Sequence, residues 1–144
     1  MKYVRIEAID GGFFLDPSAY IAQLPDLSAR LPVGAAAFVG DPEHYAFSSP
    51  RCVKDLKVGS MTLTDRDGLS LTMVLEPNPF KHEAGLVVEY LNVSSVGLEG
   101  ADLRDLQLDE ILPHEDGCSH EISFVGGNLT VVCGDLSARW LDHV

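Results

Sequence analysis

The sequence predicts an α+β domain: an antiparallel β-meander of five or six strands beneath a small N-terminal helical layer, with a β-sandwich of two sheets as the alternative. Three observations carry this. After residue 51 apolar and polar residues alternate at period two in several segments, the pattern of strands with one buried face. Short turns rich in Gly, Asn and Asp join those segments, and strands joined so closely pair antiparallel. Helix signals are confined to the first 50 residues, so the helices are the available cover for the apolar face. The chain reads as one domain over residues 1–144, mixed over 1–50 and β-rich over 51–144.

Residues 3–9 read as an opening strand, with Tyr3, Arg5 and Glu7 alternating with Val4, Ile6 and Ala8. Asp10-Gly11-Gly12 is a turn. Asp16 is placed as a helix N-cap with Pro17 at the first helical position, and Tyr20, Ile21 and Leu24 form the apolar stripe that follows. Pro25 is expected to close that helix, with another turn or two over residues 25–31. The Ala-rich segment 32–39 reads as a second one. In the β-rich part Leu56 and Val58 lie on one parity and Met61 and Leu63 on the other, with Gly59-Ser60 between them, which is how a β-bulge reads. Asp65-Arg66-Asp67-Gly68 is a tight turn into the clearest period-two run, Leu69, Leu71, Met73 and Leu75.

Pro77-Asn78-Pro79 breaks that strand, and Leu86, Val88 and Tyr90 mark the next, which residues 96–98 extend after a break. Residues 99–117 are polar and acidic and read as a loop anchored by Leu103, Leu106 and Leu108. A last hairpin follows, His120, Ile122 and Phe124 against Leu129, Val131 and Cys133, turning at Gly126-Gly127-Asn128. Gly134-Asp135 is expected to end it, leaving residues 136–144 as a tail held by Trp140 and Leu141.

A chain of 144 residues buries about two-thirds of its unfolded surface, enough for a core without staples. No apolar run approaches the roughly 20 residues of a spanning helix, and no apolar region follows the basic start Met1-Lys2, so a soluble cytoplasmic protein is expected. Three scattered cysteines, Cys52, Cys118 and Cys133, describe no disulfide framework. Cys133, in an apolar run, reads as a small buried hydrophobe. Ten Lys and Arg face 22 Asp and Glu, a net charge of −12. That field repels nucleic acid and anionic membranes and attracts a basic partner.

Chemistry-bearing residues are densest at His114, Cys118 and His120, whose types suit zinc. The set lacks a paired cysteine spacing, and a fourth ligand would have to come from His82 or His44. No tightly bound metal is therefore expected. Cys52 with His44, and Cys118 with His120, are the only neighbouring thiol–base pairs, and neither sits on a nucleophile elbow. The glycine pairs form no phosphate cradle. No catalytic residue and no cofactor is assigned.

What stands out is residues 99–121, which hold eight acids against Arg104 alone. Asp102, Asp105, Asp109, Glu110, Glu115 and Asp116 are the candidate partner-binding residues, acting by long-range attraction to Lys and Arg. The bland reading of such a stretch is a solvated loop. The expected function is non-enzymatic protein binding, with a small enzyme or metal-binding protein of unknown class as the alternative.

Tyr90-Leu91-Asn92-Val93, the acidic stretch, His120-Glu121-Ile122-Ser123-Phe124 and Gly127-Asn128-Leu129-Thr130-Val131 with Trp140 downstream together resemble small β-rich bacterial immunity proteins associated with polymorphic toxins. The resemblance covers residues 85–140 as a hairpin pattern. It implies an inhibitor that neutralises a basic toxin through an acidic face, and it transfers no individual residue's role.

Overall fold

The computed structural model describes residues 1–141. Strands β1 (Arg5–Ile9) and β2 (Gly12–Asp16) form a separate hairpin, tightened by Gly11 at φ +81°. Helices α1 (Ser18–Ser28) and α2 (Val33–Val39) follow. Then come β3 (Lys57–Asp65), β4 (Leu69–Glu76), β5 (Leu86–Gly100), β6 (Leu106–His114), β7 (Gly117–Phe124) and β8 (Gly127–Trp140). These six form one antiparallel sheet in the order β3-β4-β5-β8-β7-β6. Among the described residues no helix is long and apolar enough to cross a membrane.

The expected six-stranded antiparallel sheet is present, but its path is not a simple meander. The last strand inserts beside β5, a Greek-key order. The cause lies in the two longest strands: β5 and β8 have 15 and 14 residues and pair along almost their whole length. Residues 101–105 must then cross the β7–β8 turn. Ala101 N–H donates to Gly126 O at 3.0 Å, and Val125 N–H donates to Asp105 O at 3.2 Å. This strap requires glycine at position 100, where φ is +103° and a Cβ would lie 2.3 Å from Gly126 O.

The β5–β8 ribbon bends at Asn92, at φ +53°, where the register slips between Val93 and Ser95. On one side of the bend β5 continues into β4 and β3; on the other β8 continues into β7 and β6. The sheet curls until its terminal strands meet. Asp55 N–H donates to Leu106 O at 2.8 Å, Leu106 N–H to Leu56 O at 2.8 Å, and Val58 N–H to Leu103 O at 2.9 Å. Strands that bend from one half to the other build the corners of orthogonal sandwiches, so the curl shares a feature with the sandwich alternative.

The concave face holds the core. Leu71, Met73 and Leu75 are buried as their alternation predicts, with Leu69 half-buried at the strand's start. Leu86, Val88 and Tyr90 continue the layer, and Ile122, Phe124, Leu129, Val131 and Cys133 complete it. The bulge falls between Val58 and Ser60, as expected, but Leu63 on edge strand β3 remains 56% exposed because the cover does not reach it. The helical layer is fixed by Asp135, whose carboxylate accepts from Gly34 N–H at 3.2 Å and Ala35 N–H at 3.1 Å.

Four local expectations are corrected. Residues 12–16 form β2, although the sequence pattern places Gly12 in a turn and Asp16 as a helix N-cap. Pro25 does not close α1: Tyr20 and Leu27, seven residues apart and both buried, hold the helix on the core past it, and Pro17 stands one position earlier than expected, at the N-cap. Residues 106–114 are strand, not loop. Strand β8 passes through Gly134-Asp135 to Trp140, because Leu136 and its neighbours pair with β5. Residues 142–144 of the expected tail lie outside the described residues.

Candidate partner-binding surface

Strand β6 places the six candidate acids, and it divides them. Asp109 and Glu110 are 1% and 2% exposed, which removes both from any docking surface. The physical reason is that β6 is covered on both faces although it ends the sheet. Its outward main-chain groups are satisfied from within the chain. Tyr20 Oη donates to Ile111 O and accepts from Ile111 N–H at 3.1 Å, and Tyr45 Oη donates to Asp109 O at 2.6 Å. Burial pushes both phenols well above their ordinary value, so they remain donors.

Asp109 sits at the centre of a polar network. Its carboxylate accepts from His44 Nε2 at 2.8 and 3.0 Å and from His120 Nε2 at 2.7 Å. His120 Nδ1 lies 2.7 Å from Tyr90 Oη. Burial raises the Asp109 carboxyl, but the two imidazoles outweigh it and hold the group well below the usual carboxylate range. All four side chains are at most 2% exposed, so the set is sealed from any substrate and acts as a core tie between the loop after α2, β5, β6 and β7.

Glu110 has a different task. Its Oε1 accepts from Lys2 N–H at 2.8 Å, and its Oε2 accepts from Tyr3 N–H at 2.7 Å and Val4 N–H at 2.9 Å. Three amides that lack sheet partners are thereby satisfied by one carboxylate. Glu110→Gln replaces an acceptor oxygen with a donor and is expected to cost about 1–3 kcal/mol. Hydrogen exchange checks it: the Tyr3 and Val4 amides should exchange faster, and unchanged protection there would refute the anchoring role.

The remaining four acids lie at opposite ends of β6. Asp102 and Asp105 precede it and Glu115 and Asp116 follow it, about 30 Å apart for nine residues at roughly 3.3 Å each. The first end is charge-balanced, since Arg104 pairs with Asp102 at 3.4 Å, Lys54 and Lys81 with Asp55 at 2.9 and 3.3 Å, and Lys57 with Glu76 at 3.4 Å. The second end is acidic. Asp116 accepts from Ser94 Oγ at 3.0 Å, which brings the β6–β7 turn to the bend of β5. The β3–β4 turn reaches the same bend, as Gly68 adjoins the Asn92 side chain. Exposed Asp65, Asp67, Glu115 and Asp116 thus gather around one place with Arg66 and His114. On the strand that carries this bend, Leu91, Val96 and Leu98 of β5 are 48%, 40% and 55% exposed. The sequence showed these three only as strand residues, and nothing in it marked them as uncovered.

The other chemistry-bearing residues do not converge. His114 is exposed in the turn while Cys118 and His120 point into the core, and among the described residues no three His, Cys, Asp or Glu side chains are grouped to hold a metal ion. Cys118 Sγ faces Cys133 Sγ at 3.7 Å, and Cys52 Sγ donates to the main-chain oxygen of His44 at 3.2 Å, so neither thiol addresses an imidazole. A surface concavity of about 440 Å³ between β1 and the outer face of β7 and β8 is lined by Arg5, Glu7, Glu121, Ser123 and Asn128 among others, without a histidine or cysteine.

His82 ties down the loop between β4 and β5. Nδ1 accepts from Asn78 N–H at 3.0 Å and Nε2 donates to Cys52 O at 2.7 Å, an arrangement only the neutral ring can make. Burial pushes its pKa below the ordinary 6.5. The folded state then binds fewer protons than the unfolded one, so the contribution is complete above about pH 6.5 and is lost as pH falls through the lowered value. Urea midpoints at about pH 7.5 and 5.5 should differ more for the wild type than for His82→Leu, and equal differences would refute this.

No family model, curated protein or solved structure matches the chain.

Proposed function

We propose that the protein is a non-enzymatic protein-binding protein that engages a basic partner, in its sharpest form an immunity protein neutralising a basic toxin. The observation that carries this reading is that the turns bearing exposed Asp65, Asp67, Glu115 and Asp116 meet β5 at Asn92 and Ser94, on the strand where Leu91, Val96 and Leu98 are uncovered. Apolar residues rimmed by charge are the anatomy of an interface, with burial supplying affinity and the rim setting encounter rate. The docking set narrows to Glu115 and Asp116 from the original six, joined by Asp65 and Asp67. Asp102 and Asp105 serve as the internal control.

Capture from lysate on immobilised protein, with mass spectrometry, identifies the partner. Association is then timed at low salt. Asn and Gln replacements at Asp65, Asp67, Glu115 and Asp116 should slow it and flatten its salt dependence, because exposed charges are screened beyond about 8 Å at physiological ionic strength. Asp102→Asn with Asp105→Asn should leave it unchanged. A rate insensitive to the fourfold change, or sensitive only to the control pair, removes this surface from the interface.

A further inference from the structure

We infer that the free edge of β5 over residues 91–100 receives an added β-strand from an extended, basic segment of the partner, a mode that rests on the protein-binding reading. The sheet has four stretches of edge, and they differ. Residues 134–140 of β8 pair only with β5, and α2 lies against them, with Asp135 accepting from Gly34 and Ala35 N–H. The β6 edge is closed by Tyr20, Tyr45 and the 55–56 main chain. The β3 edge is long but carries a bulge and terminal charges at Lys57 and Asp65, features that discourage pairing. The fourth arises because β4 pairs with β5 only as far as Tyr90, opposite Leu71. Beyond that point residues 91–100 pair with β8 on one side, and among the described residues no strand pairs with the other.

Ten residues exceed the five or six of an ordinary strand. Val96 and Leu98 stand in register with fully buried Val131 and Leu129, so they belong to the core row and end it unfinished at the edge. A strand laid there covers both with its alternate apolar side chains while its main chain pairs with β5.

Charge selects the occupant. Glu99 on β5 and the turn acids Asp65, Asp67, Glu115 and Asp116 face Arg66 as the exposed Lys or Arg of these segments. A second copy of this chain would bring the same carboxylates, and a net charge of −12, against themselves. A segment alternating Lys or Arg with Val, Ile or Leu instead places cations at the rim and apolar groups on the unfinished row.

The probe is a capped synthetic peptide of about ten residues alternating Lys and Val, compared with one alternating Glu and Val and with a peptide of the Lys–Val composition in blocks. Hydrogen exchange of the full chain reads the result by residue. The alternating Lys–Val peptide should slow exchange of amides in residues 91–100 by about tenfold, and the other two should not. Val96→Lys with Leu98→Lys, both at exposed positions, should abolish that protection while the thermal midpoint stays near the wild type. Should this variant unfold, Val96→Ser with Leu98→Ser takes its place. Protection elsewhere, equal protection by the blocked peptide, or no protection overturns the inference. So does a concentration-dependent dimer protected at these same amides, which would make the occupant a second copy. A captured partner that binds the Lys variant as tightly as the wild type also removes the edge while leaving protein binding intact.

Discussion

Asp109→Ala is expected to lower the stability of the protein by about 2–6 kcal/mol, since each of two buried donors left without an acceptor costs about 1–3 kcal/mol. The substitution deletes the acceptor of two imidazole N–H groups, His44 Nε2 and His120 Nε2, at sites 2% and 1% exposed where water cannot replace it. Asp109→Asn should cost less, since one carbonyl oxygen survives. The pH dependence has a definite sign. The carboxyl is held well below its unfolded value of 3.8, so its contribution is complete above that value and is lost as pH falls toward the lowered one. Below about pH 4 the wild type should lose stability more steeply than Asp109→Asn. The measurement is urea unfolding with the slope monitored, because a changed slope would signal an altered denatured state. A loss under about 1 kcal/mol for Asp109→Ala would show that the network closes without it.

That network also shows what a sequence conceals. Strands with clean alternation, such as Leu71-Thr72-Met73-Val74-Leu75, were legible because one face is wet and the other dry. Strand β6 was not, because both of its faces are covered, and the acids inside it imitate a solvated loop. The one available signal was that Asp109 and Glu110 stand between Leu108 and Ile111, apolar on both sides. Apart from His120, 11 positions from Asp109, their partners, His44 and the amides of residues 2–4, are 65 and more positions distant, beyond the reach of any local pattern. The β5–β8 pairing was hidden for the same reason. Neighbouring hairpins are read from their turns, whereas this pairing is set by the match of two long strands and a bulge. Of the candidate surface, Glu115 and Asp116 were legible as charge, but the uncovered state of Leu91, Val96 and Leu98 follows from where β4 stops.

Leu71→Ala should cost about 2–5 kcal/mol, from lost transfer free energy and the cavity left behind. Leu71 is 2% exposed and lies in register between Leu63 of β3 and Tyr90 of β5, on the face it shares with Met73 and Leu75. Its surroundings resist collapse. Tyr90 is itself fixed by His120, and the main chains on both sides of Leu71 are held in the sheet, so little can move into the vacated volume. Thr72, one residue on, is partly exposed on the opposite face, and Thr72→Ala should fall below about 1 kcal/mol. The pair of variants tests strand phase, since a one-residue slip would exchange the two faces and invert the two costs. Denaturant unfolding of both gives the comparison. A Thr72→Ala loss equal to or above that of Leu71→Ala would place the core on the other side of β4.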